Sequence, residues 1–209
     1  MVVSGIPIRQ MFYKSTEKNT AKTAVGIPTD HKHMVMMCGS MGCGPIEKLT
    51  GILTDKLQDG FTLTVVCGTN EKLKARLEAK YGGRKNLQIK GFVTDMSLML
   101  DSADLYLTKA GGISVSEAAV KNLPMVYIKA VAGCEDYNSR FFCELGGASS
   151  GKDLKKLVDA CTCILTDDVK LENMTSALLR QNKNNASECI FDTLRSNRQV
   201  STNINENQQ

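Results

Sequence analysis

Absences narrow this sequence before any motif does. No window approaches the ~20 consecutive apolar residues of a membrane-spanning helix, and no basic stretch followed by an apolar core marks a secretory leader at the start. The eight cysteines (Cys38, Cys43, Cys67, Cys134, Cys143, Cys161, Cys163, Cys189) contain no CxxC pair, so reduced thiols in a cytoplasmic setting are expected. Cys38 and Cys67 end apolar runs and read as small hydrophobes. No block of like charge occurs either. The net charge is +4, and the cations are interleaved with acids, as in "EKLKARLEAK". That pattern is a solvated helix face, and it disfavours nucleic acid as a partner. The weak positive balance suits an anionic substrate or an anionic membrane surface. No internal repeat is present.

What is present is globular: 209 residues, 42% hydrophobic and 23% charged, enough for one domain with a tail. Residues 1–33 carry two "GIP" triplets and read as an extended lead-in, a short helix and a turn, the segment expected to link domains. From residue 34 short apolar runs alternate with helical segments. The runs are "MVMMC" (Met34 to Cys38), "LTVVC" (Leu63 to Cys67), "LQIK" (Leu87 to Lys90), "LYLT" (Leu105 to Thr108) and "MVYI" (Met125 to Ile128). They are apolar nearly throughout, as strands covered on both faces are. Helices are predicted near 45–58, 70–80, 95–101, 114–121 and 136–145. Strict alternation implies an α/β, Rossmann-like, doubly wound parallel sheet within a nucleotide-binding domain over 34–195. After Gly147 two or three packing helices and at most one short strand are expected, and 196–209 is polar enough to be a disordered tail.

Three clusters carry candidate chemistry. In "CGSMGCGP", Gly39, Ser40, Gly42 and Gly44 follow the first predicted strand and precede a helix that Pro45 opens. Backbone amides and the helix dipole favour an anion such as a diphosphate there; the alternative is a tight turn that binds nothing. The G-x-x-G-x-G spacing is not G-x-G-x-x-G. The second strand runs into "VVCGTNEK", where an NAD-binding unit would offer an acid to the ribose. Nicotinamide and flavin enzymes are therefore disfavoured. The absence of G-x-x-x-x-G-K-S/T disfavours a P-loop NTPase.

The second cluster is "LTKAGGISVSE", Leu107 to Glu117. Gly111 and Gly112 let backbone approach a ligand at the carboxyl end of a strand, where open α/β sheets bind. Ser114 reads as an N-cap with Glu117 as the N3 acid of a capping box. Glu117 also reads as a carboxylate able to hold both hydroxyls of a ribose, and the two readings are compatible. Lys109 is either a ligand contact or a solvated lysine at a strand end. The third cluster, "VAGCEDYNSRFF", gathers Glu135, Asp136 and Asn138 at a helix start. Short polar groups of this kind suit a polyol, and Asp136 alternatively serves as an N-cap. In "IKGFVTDMSL" a flat base could lie against Phe92 and bond the backbone of Val93, or both residues could close the core. Thr94 and Asp95 read as the cap of the next helix. His31 and His33 fall in a predicted polar turn, and neither is assigned as a base.

Read in order, "SGIPIRQMF", "GSMGCGPIEKL", "VVCGTNEKLKARLE", "IKGFVTDMSLMLDSADLYLTKAGGISVSEAAVKNLPMVYI" and "AGCEDYNSRFFCELGGA" resemble the C-terminal, donor-binding half of GT-B glycosyltransferases (glycosyltransferase family 28 C-terminal domain). That group contains MurG, the monogalactosyldiacylglycerol synthases and the processive diacylglycerol glucosyltransferases. The T-K-x-G-G-x-S/T-x-x-E run is the specific part. "GIPIR" and "TKAGG" point to the diacylglycerol branch. The resemblance implies that Glu117 binds the ribose of UDP and that the backbone at Phe92 and Val93 meets uracil. It places the turns at Gly39 to Gly44 and Gly111-Gly112 against diphosphate and sugar, with Ser40, Lys109 and Ser114 beside them. Glu135 and Asn138 lie near the donor sugar. Cys134 stands where the family usually has glutamine. The implied chemistry is inverting hexosyl transfer to a lipid, with UDP-sugar as substrate and neither cofactor nor metal. It further implies that this chain begins at the family's interdomain linker, without the half that binds acceptor and supplies the base. No catalytic residue is assigned to it, and an acceptor-domain protein in trans, with peripheral membrane contact through that half, is expected. A subunit of a two-part N-acetylglucosaminyltransferase and a non-catalytic nucleotide-sugar-binding protein are the alternatives.

Overall fold

Each of the five apolar runs forms a strand, and a sixth joins them. The computed structural model describes residues 2–37, 45–57, 59–128, 133–181 and 185–206, the last ten of these by backbone alone. The strands are β1 (Lys32–Met37), β2 (Phe61–Val66), β3 (Leu87–Lys90), β4 (Leu105–Thr108), β5 (Met125–Ile128) and β6 (Ala148–Gly151). They form one sheet in the order β3-β2-β1-β4-β5-β6, and every pairing is parallel. The chain winds outward from β1 to β3, then restarts at β4 on the other side of β1. This reversal makes the carboxyl ends of β1 and β4 the switch point of the sheet, the usual ligand position in a doubly wound fold.

The helices are α1 (Lys18–Val25), α2 (Ile46–Lys56), α3 (Glu71–Tyr81), α4 (Met96–Asp101), α5 (Gly112–Val120), α6 (Cys134–Leu145), α7 (Leu154–Leu165), α8 (Asp168–Leu179) and α9 (Ala186–Glu206). Asn70 and Asp95 cap α3 and α4 by accepting from the amides of Leu73 and Leu98, which satisfies donors the first turn leaves open. The strands alternate faces although both faces are apolar. Met34, Met36, Leu105, Leu107, Val126 and Ile128 pack into one layer with α2, α3 and α7. Val35, Tyr106, Met125 and Tyr127 pack into the other with α4, α5 and α6. Each such side chain contributes ~1.5–3 kcal/mol of burial.

The lead-in is integral to this body. A 3-10 turn at Gln10–Tyr13 buries Phe12 completely in the second layer, and Ser97 Oγ donates to the Met11 carbonyl. At the amino edge of the sheet, Asp104 bridges Lys18 and Lys22 at 2.7 and 3.2 Å and accepts from the His33 amide. Burial alone would raise its pKa. The two lysines and that amide prevail, holding it below the usual carboxylate range.

The predicted polar turn around the histidines is corrected here. His33 belongs to β1, is fully buried, and places its ring nitrogens 3.0 Å from Ser102 Oγ and 2.8 Å from Thr64 Oγ1. At the far end of the chain, α9 continues as helix to Glu206, over residues expected to be disordered. Once nucleated, a helix gains one hydrogen bond per added residue, and polar sequence does not prevent that.

Candidate functional site

At the carboxyl end of β4 the chain passes through Lys109 and Ala110 into Gly111, which occupies the N-cap of α5 with φ −72° and ψ 130°. This overturns the expected cap. Ser114 lies in the first turn inside the helix, not before it, so it forms no capping box with Glu117. The glycine pair turns the backbone three residues earlier than a serine cap would have done. A side chain at Gly112 would put its Cβ 3.0 Å from Ile6 Cδ1 and 3.7 Å from Asn138 Nδ2. The bare backbone therefore brings the lead-in and α6 close to the turn. Gly39, Ser40, Gly42 and Gly44, the other predicted wall of the site, lie outside the described residues.

Beginning α5 at Gly112 puts Glu117 on its inner face beside Val115 and Ala118. Glu117 is only 6% exposed. Its Oε1 accepts from Arg9 Nε at 3.2 Å and Arg9 Nη2 at 3.1 Å. Burial raises the Glu117 pKa above its usual value, and the charge and hydrogen bonds of Arg9 partly oppose that rise. Arg9 is itself 54% exposed as a side chain and lies over the buried Phe12 ring at 4.8 Å. Sequence reasoning missed this arginine as a site residue, although it sits in the "GIPIR" segment. The partner is 108 positions away, and no local pattern announces such a pair.

Polar side chains at the start of α6 meet the turn after β4. Lys109 Nζ is 2.7 Å from Glu135 Oε1, so Lys109 is an ion-pair partner and not merely a solvated strand end. Asn138 Nδ2, one turn along α6, donates to the Ala110 carbonyl at 2.9 Å. Asp136 is corrected from N-cap to the third helical position, where it accepts from the Gly133 amide at 3.1 Å. Gly133 holds the cap with φ +118°, a conformation that favours glycine. Cys134 opens α6 as an exposed free thiol. A cavity of about 360 Å³ adjoins the cluster, lined by Ala110, Tyr127, Glu135, Ser139, Ser150 and Lys152 among others. Its mixed polar lining suits a small polyol.

Phe92 and Val93 separate. Val93 packs against the second core layer, whereas Phe92 is 73% exposed after β3, at the same carboxyl edge as the glycine turns. An exposed ring there is available for stacking. The histidines are at the opposite edge of the sheet, where His31 Nδ1 lies 2.9 Å from Thr62 Oγ1. Among the described residues no group of three or more His, Cys, Asp or Glu gathers as a metal site would require, and no helix is long and apolar enough to cross a membrane.

Comparison with known proteins bears on the family and the fold. The model of the glycosyltransferase family 28 C-terminal domain matches residues 33–190. The chain is 29% identical over 193 residues to a processive diacylglycerol beta-glucosyltransferase of Bacillus licheniformis, covering 90% of this chain and 49% of that protein. It is 32% identical over 166 residues to a probable chloroplastic monogalactosyldiacylglycerol synthase of Glycine max, covering 75% and 31%. The chain thus spans about half or less of the curated relatives it matches. Among solved structures, MurG of Acinetobacter baumannii superposes with a TM-score of 0.69 at 18% identity, over 88% of this chain and 55% of that one. At that identity the likeness is one of fold.

Proposed function

The chain belongs to the glycosyltransferase family 28 C-terminal domain family, and from that premise we propose that it is the UDP-sugar-binding half of an inverting, metal-independent transferase that passes a hexose to a lipid such as diacylglycerol. One observation carries the nucleotide assignment. Glu117 is a buried carboxylate at the carboxyl edge of the sheet, one helical turn past a glycine pair and held by a half-exposed arginine. A carboxylate only accepts hydrogen bonds, and two adjacent ribose hydroxyls offer two donors to it. Around it the parts fall in the order a UDP-sugar needs: Phe92 for the base, Glu117 for the ribose, the amino end of α5 for the diphosphate, and Glu135 with Asn138 for the hexose.

In this reading the chemistry is electrostatic. Charge develops on the β-phosphate as the glycosidic bond breaks, and the open amides and dipole at Gly112 favour that charge. Arg9, paired with Glu117, adds a cation beside the same helix. The relatives carry at least as much chain again. The acceptor site, the general base and any peripheral contact with a cytoplasmic membrane face are therefore assigned to a partner domain, in the same polypeptide or in trans.

Calorimetry with UDP tests the assignment. The unaltered protein is expected to bind UDP, and Glu117→Ala to weaken binding by ~1–3 kcal/mol, the loss of hydrogen bonds to a charged group. Unchanged affinity in a folded Glu117→Ala protein would overturn it.

A further inference from the structure

Lys109 stands between two roles at this site, a cation for the diphosphate or a support for another side chain. Its Nζ is bonded to Glu135 Oε1 at 2.7 Å, a charge-assisted contact of the strong kind. The second oxygen of the same carboxylate, Glu135 Oε2, is buried and has no hydrogen-bond partner among the described residues. A carboxylate oxygen shut away from both water and protein is costly, and Glu135 lines the cavity of about 360 Å³ beside Ala110, Ser139 and Ser150. Asn138, one turn further along α6, ties that helix to the Ala110 carbonyl next to Lys109.

We infer that Lys109 is a positioning residue that holds one oxygen of Glu135 so that the other receives a hydroxyl of the donor hexose. This rests on the proposed UDP-sugar site, with Glu135 at the hexose, and adds Lys109 as the residue that orients that carboxylate. A carboxylate acceptor favours hydroxyl donors and repels phosphate, so it belongs to the hexose end of the ligand. Lys109, neutralised by Glu135, acts on the sugar through that carboxylate.

The experiment compares UDP with UDP-glucose, UDP-galactose and UDP-N-acetylglucosamine by calorimetry, with circular dichroism as the check on folding. Lys109→Met is expected to leave UDP affinity within about twofold and to weaken the best-bound UDP-sugar about tenfold, the scale of one charged hydrogen bond. Lys109→Arg should recover most of that loss. In a Glu135→Ala background Lys109→Met should add nothing, because its effect passes through Glu135. Equal weakening of UDP and UDP-sugar would show that Lys109 grips the diphosphate and overturn the inference, as would independent, additive effects of the two substitutions or no effect of Lys109→Met. Failure of the unaltered protein to bind UDP or any of the three sugars would overturn the proposed function, and the inference with it. Binding of UDP with no sugar dependence on Lys109 overturns the inference alone.

Discussion

Replacing Arg9 by methionine should destabilise the fold by an amount that grows with pH. Two contributions are removed, and they respond differently to protons. The guanidinium over Phe12 at 4.8 Å is worth ~0.5–1 kcal/mol at a partly exposed site, whatever the charge on Glu117. The paired hydrogen bonds to Glu117 Oε1 at 3.2 and 3.1 Å matter fully only when Glu117 is ionised. Charged hydrogen bonds reach ~1.5–3 kcal/mol, but Arg9 is more than half exposed, so screening brings this part to ~1–2 kcal/mol. The direction follows from the pKa. Burial raises Glu117 and Arg9 opposes the rise, so Arg9→Met lets the folded-state value climb further. An acid raised in the folded state gives stability that is complete below its unfolded value and is lost as pH rises through its folded value. In the variant that loss is deeper. Urea unfolding of both proteins should therefore differ by about 0.5–1 kcal/mol near pH 4 and about 1.5–3 kcal/mol near pH 7.5. A difference that is constant with pH, or larger in acid, would refute the claim that Arg9 stabilises an ionised Glu117.

Two further outcomes test the scaffold. Burial depresses the His33 pKa to about 4, against weaker opposing effects of the Ser102 hydrogen bond and the Asp104 charge. Its stabilising contribution is present above the unfolded value of about 6.5 and lost as pH falls towards 4, on the order of 3 kcal/mol in all; a ring titrating near 6.5 by NMR would contradict this. Gly151→Ala would place a Cβ 2.6 Å from the Leu157 backbone nitrogen and 2.8 Å from Leu157 Cγ, so β6 or α7 must move. A loss of about 1–3 kcal/mol is expected in thermal unfolding, the range for overpacking, and an unchanged melting temperature would show that the contact is not tight.

The central strands were legible because Met34 to Met37 and Leu105 to Thr108 lie in continuous apolar runs, which only a sheet covered on both faces uses in pieces this short. β6, "ASSG", carries no such signal. It pairs with β5 because small residues let α7 approach closely. Caps were readable where an acid stood just before a helix, as at Asp95. They were misassigned at Ser114 and Asp136, since these residue types serve equally at the cap and in the first turn and a preceding glycine decided the matter. Lys109, Glu135 and Asn138 were nominated one by one, and their joining needed the β4 turn and α6 side by side. Arg9 was invisible as a site residue for the same reason at longer range.

The buried imidazole of His33 also bears on how the strands find their alignment. A sheet whose strands are oily on both faces can slide two residues along a neighbour and still bury hydrocarbon, so apolar patterning alone leaves several alignments close in energy. His33 biases that choice. Its nitrogens meet the hydroxyl of Thr64 in β2 and that of Ser102, three residues before β4, and sliding either neighbour carries one of these hydroxyls away from a buried polar ring. Three strands are thereby locked to a common origin at their amino ends. The same offset determines which residues emerge at their carboxyl ends, at the switch point of the sheet.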